Sequence, residues 1–202
     1  MQKTLLLAWT MVIVLASLGS SVNKAQESEA ATDAKALQIF NDRLQSYVKV
    51  HRQVEEEFNL PHMKPTHSIA KIQERQHGMA KRIRELRASA HDGAIFIPEV
   101  KAYFTRALAS AYQANSEGIL ASLSCVSDVV EQKLAANDVY PETWDYNAMP
   151  PTILLHIPQL PAELEYRIVN RDLIIRDVEA DMIVDVLRDV ITLPTASATC
   201  DD

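Results

Sequence analysis

LEYRIVNRDLIIRDVEADMIVDVL, from Leu164 to Leu187, decides the fold of this chain. It reads as three short β-strands in succession, with apolar and polar residues alternating at the period of two that a pleated strand imposes. Asn170-Arg171 makes a two-residue turn, which sets Ile168 against Leu173, Tyr166 against Ile175 and Glu165 against Arg176. A four-residue turn at Val178-Glu179-Ala180-Asp181 then places Ile175 opposite Val184 and Leu173 opposite Val186. On that register Tyr166, Ile168, Leu173, Ile175, Val184 and Val186 share one apolar face, suited to packing on a layer of helices. The acidic residues of the segment fall in turns and on the solvent face.

Upstream, the pattern changes to the helical period. Leu37, Phe40, Leu44, Tyr47, His51, Val54 and Phe58 recur at spacings of three and four, which predicts a helix from Asp33 to Phe58 after a short polar leader. Asn59-Leu60-Pro61 and Pro65 stop it, because proline supplies no helical N–H. Thr66 or Ser68 caps a second helix with the seam Ile69, Ile72, Gln76, Met79, Ile83, Leu86 and Ala90. The two seams predict an antiparallel hairpin. Pro98-Glu99 suits the start of a third helix, with Val100, Phe104, Ala107, Leu108 and Ala111 inward. Asn115-Ser116-Glu117-Gly118 breaks or bends it, and a fourth helix continues from Ile119 through Leu134. The expected fold is α+β: an antiparallel helical hairpin and two further helices, with a small C-terminal three-stranded antiparallel β-meander.

The chain divides accordingly. Residues 1–25 have the layout of a secretory signal: one positive charge at Lys3, an apolar run from Thr4 to Leu18, and small residues after it. The run is shorter than the roughly 20 residues a spanning helix prefers, which favours removal over retention as an anchor. Residues 26–136 form the helical region, 137–161 a linker rich in proline and aromatic residues, 162–191 the meander and 192–202 a flexible tail. Residues 26–191 make one structural domain, and Pro151 to His156 allows a helical turn within the linker. The implied location is periplasmic or secreted, with no stable membrane span once the signal is gone.

Charge excludes some partners. The full chain has 20 basic and 27 acidic residues; without Lys3 and Lys24 the balance is 18 against 27, a net −9. Nucleic acid and anionic lipid call for the opposite sign. The charge is unevenly placed, basic over Lys64–Arg87 and acidic over Glu142–Asp202; this offers either a basic face for an anionic partner or a solvated helix face suited to the negative C-terminal dipole, against which the acidic meander can also sit.

Cys125 and Cys200 are an even pair in an exported chain, hence a candidate disulfide. Closing that loop would stabilise by about 4.5 kcal/mol in the chain-entropy account. The alternative is a buried thiol at Cys125 and a loose one at Cys200. His51 has Glu55 one helical turn later, while His62, His67 and His77 lie near the hairpin loop. No HExxH or CxxC accompanies them, and His51 on an apolar seam reads as a satisfied interior histidine. Asp177, Glu179 and Asp181 alternate like the start of a calcium loop but lack its central glycine and terminal glutamate. No nucleophile motif or phosphate loop occurs, so no catalytic residue, metal ligand or cofactor is assigned. Tyr140, Trp144 and Tyr146 offer a contact surface for an unidentified protein or envelope component, unless they pack the linker onto the helices. The reading is an exported, non-catalytic protein that binds or scaffolds a partner. Its alternatives are an accessory in metal or envelope-stress handling and an enzyme of unrecognised type.

Two segments carry a resemblance. LPAELEYRIVNRDLIIRDVEADMIVDVL, Leu160 to Leu187, resembles the ending of a group of exported bacterial proteins without assigned activity, of the type LPxELxYRxVGRDLxLxDxxANxIVDxL. DGAIFIPEVKAYF, Asp92 to Phe104, resembles their mid-chain segment. The resemblance implies a signal peptide, a helical middle and the C-terminal meander. Asn170 stands where that group has Gly, and Asn tolerates the positive φ such a turn requires. The strand pattern alone is also similar to that of small periplasmic nickel–cobalt homeostasis proteins, which lack the long helical part; no metal role carries over from it.

Overall fold

The computed structural model describes residues 5–58, 64, 66–124, 133–141 and 149–193, with side chains from Gln26 onward and Ser124 by its backbone alone. The elements are α1 (Leu5–Glu57), α2 (Ile69–Leu86), α3 (Pro98–Ser124), α4 (Pro151–Leu154), β1 (Leu164–Val169), β2 (Asp172–Asp177) and β3 (Met182–Leu187). The strands form one antiparallel sheet in the order β1-β2-β3, so the fold is α+β. Among the described residues no helix is long and apolar enough to cross a membrane.

Helix α1 extends well upstream of Asp33, through the residues expected to be a polar leader. Gln26 to Ala31 are mostly strong helix formers, so nothing local stops the helix there. Arg106 of α3 ties that part down by pairing with Glu29 at 3.5 Å and with Asp33. Helix α2 runs antiparallel to α1. Glu57 pairs with Arg82 at 2.7 Å, while ten residues earlier Tyr47 lies under the Arg87 guanidinium, 4.7 Å from the ring centroid. Of the expected α2 seam only its middle is buried, at Met79 and Ile83, with Ala80 beside them; Leu86 near its end is exposed. Ile69, at 72% exposure, lies outside the packed part of the hairpin.

The third and fourth helices are the two halves of α3, which ends at Ser124; Leu134, expected on the fourth helix, lies in an irregular segment, and Val126 and Val130 lie outside the described residues. Asn115 leaves helical geometry (φ −160°, ψ 69°), and its side-chain oxygen accepts the Gly118 N–H at 2.9 Å, an N-cap for the second half. A Cβ on Gly118 would lie 2.4 Å from the Asn115 amide nitrogen, so glycine is what permits the cap.

In the sheet, β1 and β2 pair as expected: Glu165 with Arg176, Tyr166 with Ile175, Ile168 with Leu173. Asn170 takes the left-handed conformation at φ 53°. The β2–β3 register differs from expectation by one residue. Leu173 faces Leu187 and Ile175 faces Asp185, then a bulge intervenes and Arg176 faces Ile183. Val184 is the extra residue. A bulge lets consecutive side chains point to one side; Val184 joins the main core while Asp185 bonds to the loop before α3. The helix-facing set therefore contains Leu187 where Val186 was expected, and Val186 belongs to the opposite face.

That opposite face is also buried, which the sequence reading did not anticipate. Val169, Ile174, Ile183 and Val186 are covered by Leu134 and Tyr140 from the segment before the meander. The same segment pairs with the free edge of β3, through Asn137 N–H to Ile183 O at 2.8 Å, Ile183 N–H to Asp138 O at 2.8 Å and Tyr140 N–H to Asp181 O at 2.9 Å. The linker thus closes an edge that would otherwise invite another strand. The main core lies between the sheet and helices α1, α2, α3 and α4. Phe104 is its centre, with Phe40 and Phe96 at centroid distances of 5.0 and 5.1 Å and Tyr166 at 6.2 Å.

Candidate metal centre

Where α1 passes the end of β2, the apolar seam is interrupted by polar groups. Tyr47 and His51 stand one turn apart on α1, and both reach Asp177, the last residue of β2. Tyr47 Oη donates to Asp177 Oδ2 at 2.6 Å, and His51 Nδ1 meets the same oxygen at 2.6 Å. The other carboxylate oxygen, Oδ1, accepts the backbone N–H groups of Glu179 at 3.0 Å and Ala180 at 2.8 Å. One side chain therefore shapes the β2–β3 turn and fixes the imidazole. His51 and Asp177 are both fully buried, so this geometry is enforced by packing on every side.

Asp177 holds Nδ1 as the donor, leaving Nε2 as the free ring position in the neutral tautomer. Nε2 is buried and has no hydrogen-bond partner. It points between two carboxylates, with Glu55 Oε2 at 3.6 Å and Glu179 Oε2 at 3.5 Å. These separations are long for hydrogen bonds. They match the edge of a coordination tetrahedron, about 3.4 Å when nitrogen and oxygen ligands lie ~2.1 Å from a zinc-like ion. One ligand atom from each of His51, Glu55 and Glu179 falls within 4.8 Å of the others. Glu55 is 24% exposed and Glu179 47%, so the open side of the triad faces solvent.

The electrostatics are those of a site short of positive charge. Burial opposes the His51 imidazolium, but the hydrogen bond and charge of Asp177, with the charges of Glu55 and Glu179, outweigh it and raise the imidazole above its ordinary range. The Glu55 carboxyl is also raised, first by burial, then by a hydrogen bond to Glu179 and repulsion from Glu179 and Glu163. Without another cation, protons hold the cluster together.

The remaining acidic residues of the meander are not on a solvent face. Asp181 is 7% exposed and Asp185 is fully buried. Asp181 pairs with Arg176, which also holds Glu165 at 2.6 Å. Asp185 accepts the N–H groups of Gly93, Ile95, Phe96 and Val186 at 2.6 to 2.8 Å. Both serve the fold. The expected solvated turn at Asp177–Asp181 keeps only Glu179 and Val178 substantially exposed.

Of the aromatic contact candidates, Tyr140 is buried in the second core with the Arg176 guanidinium 4.5 Å from its ring centroid. Trp144 and Tyr146 lie outside the described residues, as do Cys125, Cys200 and His62. His67 and His77 are exposed and apart from the cluster. The i, i+4 pair His51–Glu55 and the alternation Asp177–Glu179 are both visible in the sequence; what joins them is the packing of α1 on the β2–β3 turn. Comparison with protein-family models, with curated proteins and with solved structures finds no match to this chain.

Proposed function

We propose that this chain is a non-catalytic binding protein whose ligand is a divalent transition-metal ion, serving metal handling in the exported compartment to which its N-terminal segment points. The observation that carries the reading is the His51 Nε2 atom, buried, unpartnered and directed between Glu55 and Glu179. A buried ring nitrogen without a partner costs free energy that a coordinated ion would recover. One imidazole and two carboxylates suit zinc and its first-row neighbours; calcium and magnesium favour all-oxygen shells. Asp177 behind the imidazole supplies the outer hydrogen bond that metal-ligating histidines usually have, and it raises the basicity of the ligand.

The test is calorimetric titration of tag-free, chelator-treated protein with Zn2+. One ion per chain is expected at low-micromolar or tighter affinity. Glu179→Gln, a change at a half-exposed side chain that leaves the fold intact, should weaken binding at least tenfold. Absence of stoichiometric binding by the unaltered protein would sink the proposal.

A further inference from the structure

Two donors share one oxygen behind the His51 imidazole. Tyr47 Oη and His51 Nδ1 each lie 2.6 Å from Asp177 Oδ2, while Oδ1 is occupied by the backbone N–H groups of Glu179 and Ala180. Two of the four donors to this carboxylate therefore draw on the electron density of the same atom. Tyr47 is 3% exposed, and the Arg87 guanidinium covers its ring. Arg87 is itself fixed by Asn137 Oδ1 at 3.0 Å and by Val184 O at 3.1 Å. The phenol is thus held in place against Oδ2. Burial first, and then the charge and hydrogen bond of Asp177, hold its pKa well above the ordinary range. It keeps its proton and acts on the carboxylate only as a donor.

A carboxylate behind a metal-bound imidazole strengthens the ligand, because its charge draws on the Nδ1 proton and leaves more electron density at Nε2. Any other donor to the same oxygen takes up part of that charge. Resting on the reading of His51, Glu55 and Glu179 as metal ligands, we infer that Tyr47 is a positioning residue that limits how strongly Asp177 activates the His51 ligand, and so keeps the bound ion exchangeable. The exposure of the triad agrees with this: Glu179 is 47% open to solvent, so a competing ligand can reach the ion. The site is suited to carrying a metal and handing it over, not to storing one.

The test is Zn2+ titration of the full tag-free chain, with the rate of Zn2+ release to a chelator and with circular dichroism to confirm the fold. Tyr47→Phe keeps the ring and its contact with Arg87 and removes only the hydroxyl. It is expected to tighten Zn2+ binding several-fold and to slow release by a similar factor, although the fold becomes less stable. A purely structural role predicts the opposite sign, a weakening of up to the roughly 10- to 100-fold that loss of an outer hydrogen-bond partner costs. Incorporation of ring-fluorinated tyrosine, a stronger phenol donor, keeps the hydroxyl and should weaken binding. Proton NMR of the metal-free chain gives an independent readout: the His51 Nδ1–H resonance should move downfield in Tyr47→Phe, since Oδ2 is left to the imidazole alone. Unchanged or weaker Zn2+ binding in Tyr47→Phe, tighter binding with the fluorinated phenol, or a Nδ1–H resonance that stays or moves upfield would each overturn the inference and leave the three-ligand site standing. Failure of the unaltered chain to bind Zn2+ overturns both.

Discussion

His51 on α1 and Asp177 at the end of β2, 126 positions apart in the sequence, meet at 2.6 Å with neither side chain open to solvent. The contact joins the helical layer to the sheet through charge-assisted hydrogen bonding in a dry setting, where such bonds are strong and their loss is costly. It also means that the candidate metal ligand and the tertiary fold depend on the same atom pair.

Replacing Asp177 with Asn keeps the shape but leaves only one side-chain oxygen where four donors converge: Tyr47, His51 and two backbone N–H groups. The expected loss is about 3 kcal/mol of folding stability, measured by urea denaturation. Tyr47→Phe removes one donor and leaves the carboxylate with three, so about 1 kcal/mol is expected. A smaller effect of Asp177→Asn than of Tyr47→Phe would contradict this account.

The pH dependence of stability follows from the raised His51 imidazole. A group whose folded value lies above its unfolded one, about 6.5 for histidine, binds its proton more tightly in the folded state. Its contribution is full below about pH 6.5 and is lost as pH rises through the folded value. In chelator-treated protein the stability gap between wild type and His51→Gln should therefore narrow from pH 6 to pH 8.5. Zn2+ affinity should move the other way, since a ligand must shed its proton first. Thermal melts and titrations across that range check both slopes.

Asp185→Asn should be among the most damaging single changes in the chain. Each carboxylate oxygen accepts two backbone N–H groups, and an amide can serve only one such pair while its own NH2 faces the other. Two orphaned donors at ~1–3 kcal/mol each suggest a loss of about 3 kcal/mol. Hydrogen exchange at Ile95 and Phe96 would report it, with protection lost there before the main core opens.

Gly118→Ala tests the kink in α3. Inside an ordinary helix this change stabilises by about 1 kcal/mol. Here the added methyl displaces the Asn115 cap, 2.4 Å away, and losing a cap costs about 1 kcal/mol. The expected net change is near zero. Asn115→Ala alone should destabilise by about 1 kcal/mol, and a full stabilising effect of Gly118→Ala would show that the cap contributes nothing.

The first hairpin of the sheet was legible because a two-residue turn leaves a single register, and Asn170 accepts the positive φ. The second was misread at Val184. No local signal distinguishes a regular β3 from a bulged one; the reason for the bulge lies at Gly93–Phe96, where backbone donors require Asp185. The same limit hid the candidate metal centre. His51 and Glu55 advertise themselves one turn apart, but an alternation of acidic residues in a turn looks like solvation until a helix is laid against it. Burial of Asp177 and Asp185 depends on α1 and the loop before α3 being laid against the strands, and the cover of the sheet's second face comes from Leu134 and Tyr140, in an irregular segment with no period to read.

The bulge in β3 has a consequence for how this chain tolerates change in length. Deleting Val184 would give a strand that pairs without interruption against β2 and looks more regular. Every remaining residue would keep its partner and its face, Met182 and Leu187 included, because the residue removed is the unpaired one. What would go is the Val184 side chain in the main core and the local bend beside Asp185. Loss of one residue at the bulge is therefore a packing defect, whereas loss of a paired residue elsewhere in β3 would shift the register and turn side chains to the wrong face.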